Sequence, residues 1–181
     1  IASCLVGSEM CIRDRNELLS KKINYKNPNI FDVGGNTGQS IEKFKKIFND
    51  PIIHSFEPNK AVFDIMHSKF KEDNNVFCNN FALGNRIETR DFNITDAPGK
   101  SSFYNLNTNK DWYANKNKRY TTFVASKQKV KVSTLDDYIN TKKVKEIDLL
   151  KMDTQGYEEK ILEGSIGALK NNNIKIIIAE I

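Results

Sequence analysis

The sequence predicts an α/β fold: a mostly parallel central sheet with helices on both faces. Three observations predict it. From about Asn29 onward, short apolar runs alternate with stretches of helical periodicity, the pattern of strands buried on both faces and joined by crossover helices. The first run, Ile30 to Val33, is followed by Gly34-Gly35-Asn36-Thr37-Gly38, a turn in which backbone can approach a ligand closely and a helix N-terminus is aimed at it. The next run, Ile52 to Phe56, is closed by Glu57, nineteen positions after Gly38, where an acid suits a ribose diol.

The elements follow in order. Ile30 to Val33 is the first strand. Ile41, Phe44, Ile47 and Phe48 recur at helical spacing, and Asn49-Asp50-Pro51 ends that helix before the second strand. Val62, Ile65, Met66 and Phe70 mark a second helix, and Val76 to Phe81 a third strand. After Gly84 the rhythm changes to a polar region dotted with aromatics, with antiparallel strands predicted at Ile87 to Ile94 and Lys129 to Ser133. Thr134 is placed to cap a short helix that has Asp137 in its first turn. Ile147 to Met152 is a fourth strand, Ile161 to Leu169 an amphipathic helix, and Ile174 to Ile181 a fifth strand, apolar on both faces.

Composition narrows the function classes. The chain has 181 residues, of which 39% are hydrophobic, enough for one core. Its net charge of +5 is spread over lysine pairs such as Lys21-Lys22 and Lys142-Lys143, the pattern of solvated helix faces, so no nucleic-acid partner is expected. No apolar run approaches the ~20 residues of a membrane span, and no membrane partner is expected. Cys4, Cys11 and Cys78 fit neither a disulfide framework nor a zinc site, which favours a reducing, cytoplasmic setting. Residues 1–14 lack the Asn/Lys bias of the rest and resemble translated adapter sequence. The expected organisation is therefore a foreign or disordered segment at 1–14 and one domain at 15–181.

Five motifs, in order, carry a family resemblance. They are Phe31-Asp32-Val33-Gly34-Gly35-Asn36-Thr37-Gly38, Ser55-Phe56-Glu57-Pro58-Asn59, Ala82-Leu83-Gly84, Thr134-Leu135-Asp136-Asp137 and Leu150-Lys151-Met152-Asp153-Thr154-Gln155-Gly156-Tyr157-Glu158. Together they resemble the FkbM family of S-adenosylmethionine-dependent methyltransferases, with Gly35 where Ala is common and Gln155 where Glu is common. The resemblance implies a Rossmann-like class I methyltransferase fold, with strand order 3-2-1-4-5-7-6. On that pattern the chain stops at strand five, and the expectation is a domain that lacks strands six and seven.

The resemblance also implies roles. Gly34, Gly35, Asn36 and Gly38 would admit the methionine part of S-adenosyl-L-methionine, Asp32 would face its ammonium, and Glu57 would take the ribose hydroxyls. Asn80, Phe81 and Ala82 would flank adenine. Methyl transfer to a hydroxyl needs a proton acceptor, and Asp153 at the end of the fourth strand is the candidate catalytic residue. A divalent metal held by Asp153 and Glu180 is a further option. The expected acceptor is a sugar or a small polyketide-like molecule, and the aromatics Phe103, Tyr104, Trp112, Tyr113 and Tyr120 suit a sugar platform, a lid or a loop packed over the sheet. His54 and His67 read as ordinary core or surface residues. Two other functions stay open: a nicotinamide-dependent oxidoreductase, whose turn and ribose acid look alike, and a fragment that binds cofactor without catalysis.

Overall fold

The computed structural model describes residues 9–95, 101–103 and 124–179, with backbone alone at 9–14 and 125. In it the apolar runs pair as one parallel sheet. Its strands, in spatial order, are β3 (Val76–Asn79), β2 (Ile52–Phe56), β1 (Asn29–Val33), β7 (Ile147–Met152) and β8 (Ile174–Ala179), and all four pairings are parallel. This is the 3-2-1-4-5 order expected for the first five strands. The chain builds outward from β1 to β3, then crosses back to lay β7 on the other side of β1. Such a reversal opens a crevice at the carboxyl ends of the strands, where open α/β sheets bind ligands.

Because successive strand residues face opposite sides, the sheet carries two cores. Phe31, Val33, Phe56, Leu150 and Met152 pack on one face with Leu135, Tyr138 and Ile161. Ile30, Ile53 and Leu149 pack on the other with Leu19, Ile41, Phe44, Met66 and Phe70. The helices on this second face are α1 (Glu9–Lys22), α2 (Gln39–Ile47) and α3 (Lys60–Phe70). Helix α1 starts at Glu9, so residues 9–14 share one helix with Leu19, although they fall in the segment expected to be foreign. The Asn59 side chain caps α3 by accepting from the Ala61 N–H at 3.2 Å.

Helix α4 (Leu135–Lys142) begins as its sequence predicts, with the Thr134 hydroxyl accepting from the Asp137 N–H at 3.1 Å. One amphipathic helix is expected over Ile161 to Leu169; instead α5 (Glu158–Glu163) and α6 (Ile166–Lys170) stand apart. The break falls where Gly164 crosses the backbone of Gly84, so closely that a Cβ at 164 would lie 1.9 Å from the Gly84 carbonyl oxygen. The Asp136 carboxylate then accepts from the N–H groups of Gly167 and Ala168 at 2.7 and 2.8 Å, capping α6 from outside.

The predicted antiparallel strands form a second sheet of order β4 (Ala82–Leu83), β6 (Val124–Ser133), β5 (Glu88–Thr95). Strands β5 and β6 pair antiparallel with an irregularity at Ile94/Thr95, while β4 joins β6 in parallel. The third strand of the main sheet ends at Asn79, short of the predicted Phe81, since the chain leaves it to start β4. Tyr104, Trp112, Tyr113, Tyr120 and Glu180 lie outside the described residues. Among the described residues no helix is long and apolar enough to cross a membrane.

Candidate functional site

The site forms where β1, β2 and β7 end together. The N–H groups of Gly34 and Gly35 both donate to the Phe56 carbonyl at 3.0 Å, folding the turn back onto β2. Gly34 has φ +84°, and a Cβ there would lie 2.0 Å from the Asp153 carbonyl oxygen. Only glycine fits both constraints. The Asp153 N–H donates to Val33 at 3.0 Å, so the exits of β1 and β7 are stitched main chain to main chain.

Glu57 joins this turn to the start of α3. Its Oε2 accepts from the Asn36 N–H at 3.0 Å and its Oε1 from the Asn59 N–H at 2.8 Å. Asn36 holds a φ of +49° in the turn, a backbone angle that Asn tolerates. Glu57 is buried. Burial pushes its carboxyl up to about 7, against the pull of the two N–H groups; nearby Asp32 adds to the rise and Lys151 opposes it.

A cleft opens over these groups. Gly34, Asn36, Glu57 and Pro58 form its floor. Ala82 and Leu83, then Asp153, Thr154, Gln155 and Tyr157 from the loop after β7, also line it, and Phe92, Ser101 and Phe103 bring in the second sheet. Of the residues singled out in the sequence, Gly34, Asn36, Glu57, Ala82 and Asp153 line this one cleft.

Other expected site residues are placed elsewhere. Asp32 has no exposed surface; it lies under the turn, accepting from the Ser55 hydroxyl at 3.2 Å and pairing with the Lys151 ammonium at 3.2 Å. Gly35 faces the same interior, its Cβ position 2.0 Å from Ser55 Oγ. Gly38 abuts the ring of Phe70. Asn80 spends its amide on the backbone carbonyls of Glu57 and Pro58, at 2.9 and 3.3 Å, and so braces the β2 exit. Phe81 packs edge-on against Phe56 and lines a separate groove beside Tyr138. Among the described residues no group of three His, Cys, Asp or Glu is placed to hold a metal ion.

His54 is a core residue. It stacks between Phe31 and Phe77, shares a 2.9 Å hydrogen bond with the Tyr138 hydroxyl, and is pushed down to about 4, first by burial and then by Lys142.

The sequence reading gave no role to Lys151, Thr154 or Tyr157. Lys151 reaches from Asp32 toward Asp153, 3.6 Å away. A lysine inside a fully buried strand was the available signal, because such a charge requires an acid partner. Glu158, the first residue of α5, reaches back to accept from the N–H and hydroxyl of Thr154 at 2.7 and 2.8 Å, fixing the loop after β7. Tyr157 is buried, its hydroxyl accepting from Arg90 at 3.0 Å and its ring packed on Phe103 at 4.5 Å.

The family model for the methyltransferase FkbM domain matches residues 32–181. Among solved structures, the fold is similar to the methyltransferase FkbM from Methylobacillus flagellatus KT, with a TM-score of 0.54 and 14% identity over 83% of this chain. The match covers 32% of that protein, so this chain spans about a third of its length. No curated protein matches.

Proposed function

Since the chain belongs to the FkbM methyltransferase family, we propose that its cleft binds S-adenosylmethionine and that it methylates a hydroxyl of a sugar or small polyketide-like acceptor. The observation that carries this reading is the bond between the glycine turn and the acid after β2: Asn36 N–H to Glu57 Oε2, 3.0 Å. It puts the two halves of the expected cradle in contact on one floor.

The residues fit the cofactor. Gly34 lines the cleft, and its lack of a side chain lets the exits of β1 and β7 close against each other beside it. Each Glu57 oxygen uses one lone pair on a backbone N–H and retains another for a ribose hydroxyl. Ala82 and Leu83 offer an apolar wall of adenine's character. When bound, the cofactor supplies a methyl group on a sulfonium, open to in-line displacement. The chain's part is then to orient and desolvate. The turn and Glu57 fix the donor end, while the packed rings of Phe92, Phe103 and Tyr157 give the cleft an apolar, water-excluding border. A hydroxyl acceptor must also lose its proton, and Asp153, which lines the cleft, was the sequence-based candidate to take it.

Calorimetric titration with S-adenosylhomocysteine beside NAD tests the reading. Binding of the former without the latter supports it; binding of NAD alone overturns it.

A further inference from the structure

At the donor end of the cleft, three charges stand in a row: Asp32, Lys151 and Asp153. We propose that Asp153, and not Asp32, receives the ammonium of the cofactor's amino-acid end, with Lys151 holding the two carboxylates in line. This rests on the cofactor reading above and names the group that reads one part of that ligand.

Access separates the two acids. Asp32 has no exposed surface, does not line the cleft, and turns its oxygens to Ser55 and Lys151. A ligand ammonium brought to it would have to lie against the Lys151 ammonium, 3.2 Å from the same carboxylate, and like charges so close repel. Asp153 lines the cleft, with a side chain 30% exposed. Its backbone is pressed against Gly34, the turn that would admit the amino-acid end.

The charge count points the same way. The row sets two acids against one ammonium, and the carboxylate that lines the cleft is that of Asp153. Its Oδ1 accepts from the Gln155 amide at 3.1 Å, and its Oδ2 stands 3.6 Å from Lys151, outside hydrogen-bond range. A carboxylate oxygen takes two donors, so an ammonium can be added without displacing either neighbour. This gives Asp153 a binding role in place of the proton-accepting one.

The test compares two ligands in one protein. S-adenosylhomocysteine carries the amino-acid end, and 5′-methylthioadenosine has the same nucleoside and sulfur without it. In calorimetric titrations the unaltered chain should bind the former at least about tenfold more tightly. Asp153→Asn should weaken S-adenosylhomocysteine about tenfold and leave methylthioadenosine within about twofold, collapsing the ratio. The ratio is internal to each variant, so a general loss of folding does not imitate the result, and Asp153→Ala serves if the amide variant is not recovered. A ratio kept in Asp153→Asn and Asp153→Ala overturns the proposal, whatever the outcome in Asp32→Asn. Failure of both ligands to bind the unaltered chain overturns the cofactor reading itself.

Discussion

At the carboxyl end of the main sheet, Glu57 is buried against two backbone N–H groups. At the amino end, Asp148 also has little exposed surface but lies under a thinner cover, and it is met by the ammonium of Lys175 at 2.7 Å, the hydroxyl of Tyr25 and the N–H of Asn29 at 2.8 Å. Burial pushes both carboxyls up. For Glu57 it prevails and the group reaches about 7, whereas for Asp148 the bonds from Lys175, Tyr25 and Asn29 outweigh it and the group falls below its ordinary value. The amino end therefore carries a finished electrostatic clamp that ties the approach to β1 onto β7 and β8. The carboxyl end carries an acid with acceptor capacity still to be filled. Where compensation is incomplete, a ligand's hydroxyls can complete it.

Three experiments would break or sharpen this contrast. The largest effect is expected from Glu57→Ala, which removes the acceptor for two loops and for the ribose. S-adenosylhomocysteine affinity should fall about a hundredfold or more by calorimetry, the scale of two charge-assisted hydrogen bonds. A loss below about threefold would remove Glu57 from the binding floor.

Next comes pH. Because the folded Glu57 value lies above the unfolded 4.5, its contribution to stability is present below about 4.5 and is lost as pH rises through about 7, on the order of 3 kcal/mol. His54 works in the opposite sense: its folded value near 4 lies below 6.5, so its penalty is absent above 6.5 and grows as pH falls toward 4. The two nearly cancel in the unaltered chain. Urea denaturation of Glu57→Gln should therefore expose a stability that rises from pH 4 to 6.5, and a profile parallel to that of the unaltered chain would contradict the assigned shift.

The smallest effect is expected at the other end. Lys175→Met leaves Asp148 its two neutral donors, and because the lysine is partly exposed the cost should be about 1–2 kcal/mol in urea denaturation. S-adenosylhomocysteine binding should stay within twofold. A loss comparable to that of Glu57→Ala would show that the two ends do not act separately.

Much of this arrangement was legible beforehand because it rests on local rules. The period of the apolar runs marks the strands, Thr134 marks a helix start, and the glycine turn with Glu57 marks the switch point between β1 and β7. What was not legible depends on distant backbone. Asp32 was assigned to the ligand because it precedes the glycines, yet strand alternation puts it on the face of Ile30, under the turn and against Lys151 from a strand more than a hundred residues away. The split between α5 and α6 was hidden for the same kind of reason. Ile161 to Leu169 keeps a helical period, and nothing local shows that Gly84 passes beneath Gly164. Asn80 and Phe81 were placed by their position at the end of the predicted third strand, whereas their neighbours are the β2 exit and Tyr138.

The crossing of Gly84 and Gly164 has one further consequence. Two polypeptide backbones touch there with no side chain between them, so the junction acts as a fulcrum for the short strand that carries Ala82 and Leu83. A single added methyl at 164 would wedge that strand aside and change the width of the opening it borders. A residue with no part in the chemistry would in this way set the size of molecule that the opening admits.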